Sequence, residues 1–223
     1  MQGSVGIGFA VIVAPILLLY APEFVPGPIV LSALLLVILM AMRERSSVIV
    51  RDLAPAAAGR LLGTIPAAYV LTALPQTFYE LLFGILVLLG VGLSVLGLHV
   101  RPTLINVFFA STVSGFMSTV SSMGGPPMAL MYQHEEGARI RATISAIFMM
   151  GGLITLAGLW WADRFHQTEL ILGLVLMPGV VAGFILSRYT TARLDARHVR
   201  PALLVASAIC GVIVIVRALA IAW

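Results

Sequence analysis

The chain has 223 residues, of which 61% are hydrophobic and 10% are charged, and its formal net charge is +4. Soluble domains carry about 25% charged residues, so this composition excludes a soluble enzyme, a soluble nucleic-acid-binding protein and a disordered chain, and it indicates an integral membrane protein. All 13 basic residues are arginines, and most lie in short loops between apolar runs. That placement is typical of topology signals and not of a phosphate-binding patch.

Apolar segments occupy nearly the whole chain, and at roughly 20 residues per crossing the length allows about eight or nine transmembrane helices. None of the segments alternates in the manner of a barrel strand. Because backbone polar groups in lipid must be satisfied internally, each segment is predicted to be a helix. In chain order the predicted segments are residues 4–20, 26–42, 50–74, 76–98, 102–120, 121–133, 141–162, 168–189 and 200–223.

Two of these segments are interrupted by glycine and proline, and each is predicted to be a re-entrant or unwound half-helix. Segment 4–20 contains Gly6, Gly8 and Pro15, and segment 121–133 contains two glycines followed by two prolines. Glycine costs backbone entropy in a helix, and proline removes a backbone donor. Short, broken apolar segments of this kind are typical of substrate sites in transporters.

The two halves of the chain, residues 1–100 and 101–223, are predicted to be structural repeats. Each half has an interrupted segment, then a helix with small residues, then a helix with two glycines four residues apart, and then a final apolar helix. Chance similarity between helices rich in Leu, Ala and Gly is the alternative. The small residues lie at 31–33 and 144–146, and the glycine pairs are Gly59 with Gly63 and Gly179 with Gly183.

The distribution of arginine predicts that the two repeats have opposite orientations. In the first half, three arginines separate the second and third segments, and the next loop, near Pro75, has none. In the second half, the loop at 163–169 has one arginine beside acidic residues, and the stretch 188–200 has four. Arginine-rich loops face the cytoplasm. Inverted repeats place a transport site at their interface, near the middle of the membrane.

The second interrupted segment has the residue types of an anion-binding site. The hydroxyl groups of Ser121 and Ser122 precede Gly124 and Gly125, and Pro126 suits the first turn of a new helix. A helix N-terminus in a low dielectric offers free N–H groups and a positive dipole end to an anion. A packing kink, in which glycine permits close approach of two helices, is the alternative. The symmetric residues in the first half are Ser4, Gly6 and Gly8.

Arg60 is predicted to lie inside the membrane. It follows Arg51 by nine residues, which places it roughly 13 Å further along a helix at about 1.5 Å per residue. Charges within the membrane are rare and usually face a cavity, and Gly59 and Gly63 leave space around this side chain. Either Arg60 attracts an anion, or it caps backbone carbonyl groups of a broken helix.

The positions of the other ionisable residues disfavour several classes of membrane protein. All four histidines and all nine acidic residues lie at segment ends or in loops. A cation exchanger or a carboxylate proton relay is therefore not expected. The sequence has no intramembrane Ser–His pair and no metal-ligand set, and its one cysteine, Cys210, lies in an apolar run. We therefore expect neither an intramembrane hydrolase nor a metal site nor a cofactor.

The glycine motif at 6–8 leading to Pro15, and the motif at 124–127 followed by Leu130, resemble the paired glycine-rich motifs of the TauE/SafE sulfite exporter family. The resemblance extends over nearly the whole chain. It implies a carrier of the bacterial inner membrane, built from two repeats, that moves sulfite, sulfonates such as sulfoacetate, or related small anions. It also implies that the motif positions line the substrate path. The chain departs from the family in lacking the helix that usually precedes the first motif: either the start is truncated or this member is short.

These observations predict an all-α, multi-pass membrane protein with about eight transmembrane helices and no soluble domain. We expect a secondary carrier for a small anion that works by alternating access, and not an enzyme. The alternatives are an anion channel and a membrane scaffold that transports nothing. The expected partners are the anion and the lipid bilayer, without nucleic acid, and a homodimer stays open. The expected substrate-binding residues are Ser4, Gly6, Gly8, Arg60, Ser121, Ser122, Gly124, Gly125 and Pro126.

Overall fold

The computed structural model describes residues 3–43, 48–96, 100–132, 138–190 and 196–222. Within these ranges the chain forms nine α-helices and a short 3-10 turn at Pro22–Phe24, with no strand, so the all-helical prediction is confirmed there. The helices are α1 (Gly3–Tyr20), α2 (Gly27–Arg43), α3 (Val50–Ala73), α4 (Gln76–Val95), α5 (Leu104–Ser121), α6 (Gly125–Tyr132), α7 (Ala138–Trp161), α8 (Gln167–Thr190) and α9 (Ala196–Ala222).

Five of the described helices are long and apolar enough to cross a membrane: α4, α5, α7, α8 and α9. Helix α2 is also apolar, over Gly27–Ala41, but this stretch is shorter than the other five. Large apolar side chains, among them Ile171 and Val175 of α8 and Val216 of α9, are exposed on the outside of the bundle. An outer surface of this kind is stable only against lipid, since soluble proteins rarely expose contiguous apolar patches of such extent.

The predicted interruption of the first segment is wrong. Helix α1 runs from Gly3 to Tyr20 without a break, and it includes Gly6, Gly8 and Pro15. A glycine costs a helix about 1 kcal/mol. An unsatisfied backbone group in an apolar environment costs several kcal/mol, so two isolated glycines and one proline do not unwind a membrane helix whose neighbours pack against it.

The predicted interruption of the second segment is confirmed. Helix α5 ends at Ser121, and Ser122 adopts the left-handed conformation, with φ 61° and ψ 4°. The N–H of Ser122 donates to the Ser118 carbonyl at 2.9 Å, which closes the last turn. Helix α6 then begins at Gly125 with two prolines in its first turn, where the absence of an N–H breaks no helical hydrogen bond.

Helix α3 lies against α5 and α7, and α2 lies against α7 and α8. The contact between α3 and α5 is close because two glycines of α3 face α5. A Cβ atom at Gly59 would overlap the backbone oxygen of Phe108, and one at Gly63 would overlap that of Thr112. Backbone-to-backbone approach through small residues is the usual basis of helix association in membranes. This packing fixes the middle of α3, including Arg60, against the rest of the bundle.

Candidate functional site

Arg60 is the largest fully buried side chain in the described part of the chain, with 1% of its surface exposed. It lies near the middle of α3, where α5 comes very close. A Cβ atom at Gly115 of α5 would be 2.7 Å from the Arg60 carbonyl oxygen. Glycine at this position lets α5 cover the backbone beside Arg60, so the side chain leaves α3 on the side of α7.

The guanidinium group of Arg60 lies against two residues of α7. Its central carbon is 5.2 Å from the centroid of the Phe148 ring, within the range of a cation–π interaction. One turn further along, a Cβ atom at Gly151 would be 2.5 Å from both Cζ and Nε of Arg60. Any larger residue at 151 would displace the guanidinium group, so Gly151 provides the space in which this group lies.

Two nitrogens of the guanidinium group, Nε and Nη1, are buried and have no hydrogen-bond partner. Buried donors in folded proteins are almost always paired, because an unpaired one forfeits its hydration without compensation. The penalty is larger for a charged group. An acceptor bound beside Arg60 would remove this penalty, which makes the side chain a candidate ligand-binding group and not a structural cap.

Arg60 lines a cavity of about 90 Å³ at the centre of the bundle. One wall comes from α2 and is entirely apolar, with Leu34 and Val37 in it, and Ala10 of α1 adds to it. The opposite wall comes from the break between α5 and α6 and from α7. Its residues are Ser118, Ser122, Gly124, Gly125, Ile144, Ser145, Phe148 and Gly152. The cavity therefore combines one cation with serine hydroxyls and an apolar surface.

The serine hydroxyls around the cavity differ in what they can still donate. Ser118 accepts a hydrogen bond from Thr155 at 3.4 Å, which leaves its own proton free to donate. Ser122 donates to the Pro26 carbonyl at 3.0 Å, so its proton is already used. Ser145 is buried on the α7 side of the cavity. Ser118 and Ser145 are therefore the neutral donors best placed to bind a ligand in the cavity together with Arg60.

The break itself is held in place by α5. The hydroxyl of Ser114 donates to the Gly124 carbonyl, and a Cβ atom at Gly124 would be 2.8 Å from the Ser114 carbonyl oxygen. Helix α6 offers fewer free amides than an ordinary helix start, because two of its first three residues, Pro126 and Pro127, have no N–H. The charge of Arg60 is therefore a larger source of positive potential here than the helix terminus is.

The structure brings four of the predicted site residues together around the cavity: Arg60, Ser122, Gly124 and Gly125. Two others point elsewhere. The Ser121 hydroxyl donates to the Met117 carbonyl at 2.7 Å, and Pro126 lies towards α4, where its Cγ would be 3.3 Å from a Cβ atom at Gly90. Ser4, Gly6 and Gly8 lie in α1, and their surroundings are outside the described residues.

Sequence reasoning missed the part of the site that comes from α7. Ser145 stands in the small-residue triplet at 144–146, which served only to align the two halves. Phe148 and Gly151 follow one and two turns later and contact the guanidinium group. These three residues lie at helical spacing on α7. The sequence indicates that they belong to the site only once it is known that α7 packs beside α3 and its arginine.

Comparison with known proteins gives one match. The model of the family described as Sulfite exporter TauE/SafE matches residues 1–214. No curated protein and no solved structure matches the chain. Together with the five long apolar helices, the match identifies a multi-pass membrane protein.

Proposed function

The chain belongs to the sulfite exporter TauE/SafE family, a family of membrane transporters, and on that premise we propose that it is a secondary carrier for a small anion in the bacterial inner membrane. The anion binds in the central cavity beside Arg60. Ser118 and Ser145 donate to its oxygens, and the apolar wall from α2 excludes water. Sulfite and small sulfonates are the substrates that this proposal favours.

The observation that carries the proposal is the pair of unpartnered, buried nitrogens on Arg60. A guanidinium group recognises oxyanions through paired N–H groups, and such charge-assisted hydrogen bonds are stronger than neutral ones. In a low-dielectric cavity the attraction for an anion is larger than at a surface. These two unpaired donors are therefore suited to bind a ligand, because the described residues supply no acceptor for them.

The pattern of helix contacts supports alternating access by two inverted repeats. In the proposed repeats α1 corresponds to α6, α2 to α7, α3 to α8 and α4 to α9. When each helix is replaced by its counterpart, the α3–α7 contact becomes the α2–α8 contact, and the α4–α6 contact becomes the α1–α9 contact. All four contacts occur in the structure. The contacts α1–α6, α2–α7 and α4–α9 map onto themselves. The cavity is lined by α1, α2, α6 and α7 together with Arg60 of α3 and Ser118 of α5, so residues of both proposed repeats enclose it, as a site between rocking repeats requires.

The test is anion flux in proteoliposomes, with sulfite and the singly charged sulfonate methanesulfonate as the probes. Replacing Arg60→Gln removes the charge and is expected to lower flux by about 100-fold, because two charge-assisted hydrogen bonds are lost. Arg60→Lys keeps the charge without the planar geometry and should retain part of the activity.

Arg217→Gln is the matched control, since it removes the same charge from an exposed arginine near the end of α9. Its flux should equal that of the wild type. The proposal fails if Arg60→Gln protein, at normal expression and with a normal thermal melting curve, transports both anions at the wild-type rate.

A further inference from the structure

We propose that the cavity selects its substrate by charge state: it accepts singly charged oxyanions and rejects doubly charged ones of similar size. This inference rests on the proposed function, because it concerns the same site. It depends on the charges that line the cavity and on the groups that could supplement them.

Arg60 is the one ionisable side chain among the described residues that line the cavity, and no carboxylate lines it there. The described parts of the helices that cover Arg60 add no further charged side chain beside the cavity. Helix α5 has no ionisable residue, and the arginines of α7, Arg139 and Arg141, stand nine and seven residues before Phe148 in the sequence. On α3 itself, Asp52 is eight residues away and accepts a hydrogen bond from Tyr132 at 2.9 Å. The cavity therefore holds a single positive charge.

Helix dipoles do not provide a second positive charge. Helix α5 ends at Ser121 and α6 begins at Gly125, so a negative helix end and a positive helix end meet within four residues and largely cancel. Of the hydroxyls beside the cavity, that of Ser122 already donates to Pro26. Ser118 and Ser145 can donate, but a neutral hydroxyl does not neutralise a full charge.

A singly charged anion beside Arg60 forms a neutral pair, and its charge is compensated within the bundle. A doubly charged anion leaves one negative charge without a counterion in a low-dielectric interior, and that charge loses its hydration with nothing to replace it. The apolar wall from α2 offers such an anion no polar group in place of the water that it loses. Binding of the divalent form is therefore opposed by desolvation and not by shape.

The experiment measures binding to the purified full chain in detergent by calorimetry, with three probes. Methanesulfonate is singly charged at every working pH, sulfate is doubly charged, and sulfite changes from the singly to the doubly charged form near neutral pH. We expect sulfate to bind about 100-fold more weakly than methanesulfonate. The apparent affinity for sulfite should fall about tenfold per pH unit once hydrogensulfite is deprotonated, while that for methanesulfonate stays constant.

Several outcomes separate the two proposals. Sulfate binding within threefold of methanesulfonate, lost in both cases on Arg60→Gln, would overturn charge selection and leave the anion site intact. A sulfite affinity that does not change with pH would overturn charge selection as well, and this measurement needs only the wild-type protein. Absence of Arg60-dependent binding by any of the three anions would remove the proposed function, and charge selection with it.

Discussion

Helices α3 and α8 occupy equivalent positions in the two predicted repeats, yet their surroundings differ sharply. Both have a pair of glycines four residues apart. Gly59 and Gly63 of α3 lie directly on the backbone of α5, whereas a Cβ atom at Gly179 or Gly183 of α8 would meet no atom within 4 Å. Helix α5 covers α3, and no described helix covers α8 in the same way. The same local pattern is therefore a packing surface in one half and a lipid-facing surface in the other.

The two helices also differ in charge at matching positions. When they are aligned by their glycine pairs, the residue after the first glycine is Arg60 in α3 and Val180 in α8, and both are buried. Under the proposed repeats these two positions correspond, but only one of them carries a cation. A single cation suits the proposed site for a single anion, and the variants below test each part of this contrast.

The largest effect is expected for alanine at the packed glycine of α3. In Gly63→Ala the new Cβ atom overlaps the Thr112 carbonyl oxygen and lies 2.9 Å from the Phe116 nitrogen. Both are backbone atoms that cannot move aside, so we expect a loss of about 3 kcal/mol or more. Thermal unfolding in detergent measures it. Gly183→Ala is the matched control, and a comparable loss in that variant would contradict the contrast.

A smaller difference in stability is expected between the contact of α3 with α7 and the contact of α8 with α2. In Gly158→Ala of α7 the new methyl group overlaps Cγ2 of Thr64, a stiff β-branched side chain on α3. In Gly173→Ala of α8 it comes 2.7 Å from Cδ2 of Leu31, which can rotate away. We expect a loss of about 2 kcal/mol for the first variant and under about 1 kcal/mol for the second. Equal melting temperatures would contradict this assignment.

The charge contrast predicts an effect on transport with little effect on stability. Alanine at Gly151 puts a methyl group 2.5 Å from the Arg60 guanidinium group, so the group must shift. A displacement of this size in a binding group lowers flux by about tenfold. Gly92→Ala of α4 is the control, because its new methyl group meets no atom within 4 Å and lies outside the cavity lining. Its flux should stay within about twofold of the wild type, and the prediction is wrong if Gly92→Ala is the slower variant.

The smallest expected effect is a slight gain in stability. Gly179→Ala adds a methyl group that touches nothing within 4 Å, and alanine favours a helix over glycine by up to about 1 kcal/mol. The melting temperature should therefore stay level or rise slightly. A clear fall would mean that another molecule or an undescribed segment covers this face of α8.

Most of the helices could be predicted from the sequence, because apolar runs ended by proline or arginine leave little freedom in a membrane. The predicted segment 50–74 became α3 at Val50–Ala73, and the break near 122–124 followed from two glycines before two prolines. The same reasoning failed for α1. Isolated glycines weaken a helix, but breaking one inside the membrane needs other groups to take over its hydrogen bonds.

The candidate site could be predicted only in part. Arg60 stood out because a lone charge in an apolar run is expensive, and the serine and glycine residues of the break carried their own local signal. The contribution of α7 could not be found in this way. Phe148 is an ordinary apolar residue for a membrane helix, and it gains a role only because folding places α7 beside α3.

Arg60 also has a consequence for how the protein is made. Helix α3 is absent from the five described helices that are apolar enough to span a membrane, and an arginine at mid-helix opposes insertion by about 2.5–3.5 kcal/mol. The helices that shield it, α5 and α7, are synthesised later. We therefore expect the nascent α3 to be retained poorly by the translocon until the second half arrives. Glycosylation mapping of a chain truncated near residue 100 would show this, and stable integration of α3 in that fragment would refute it.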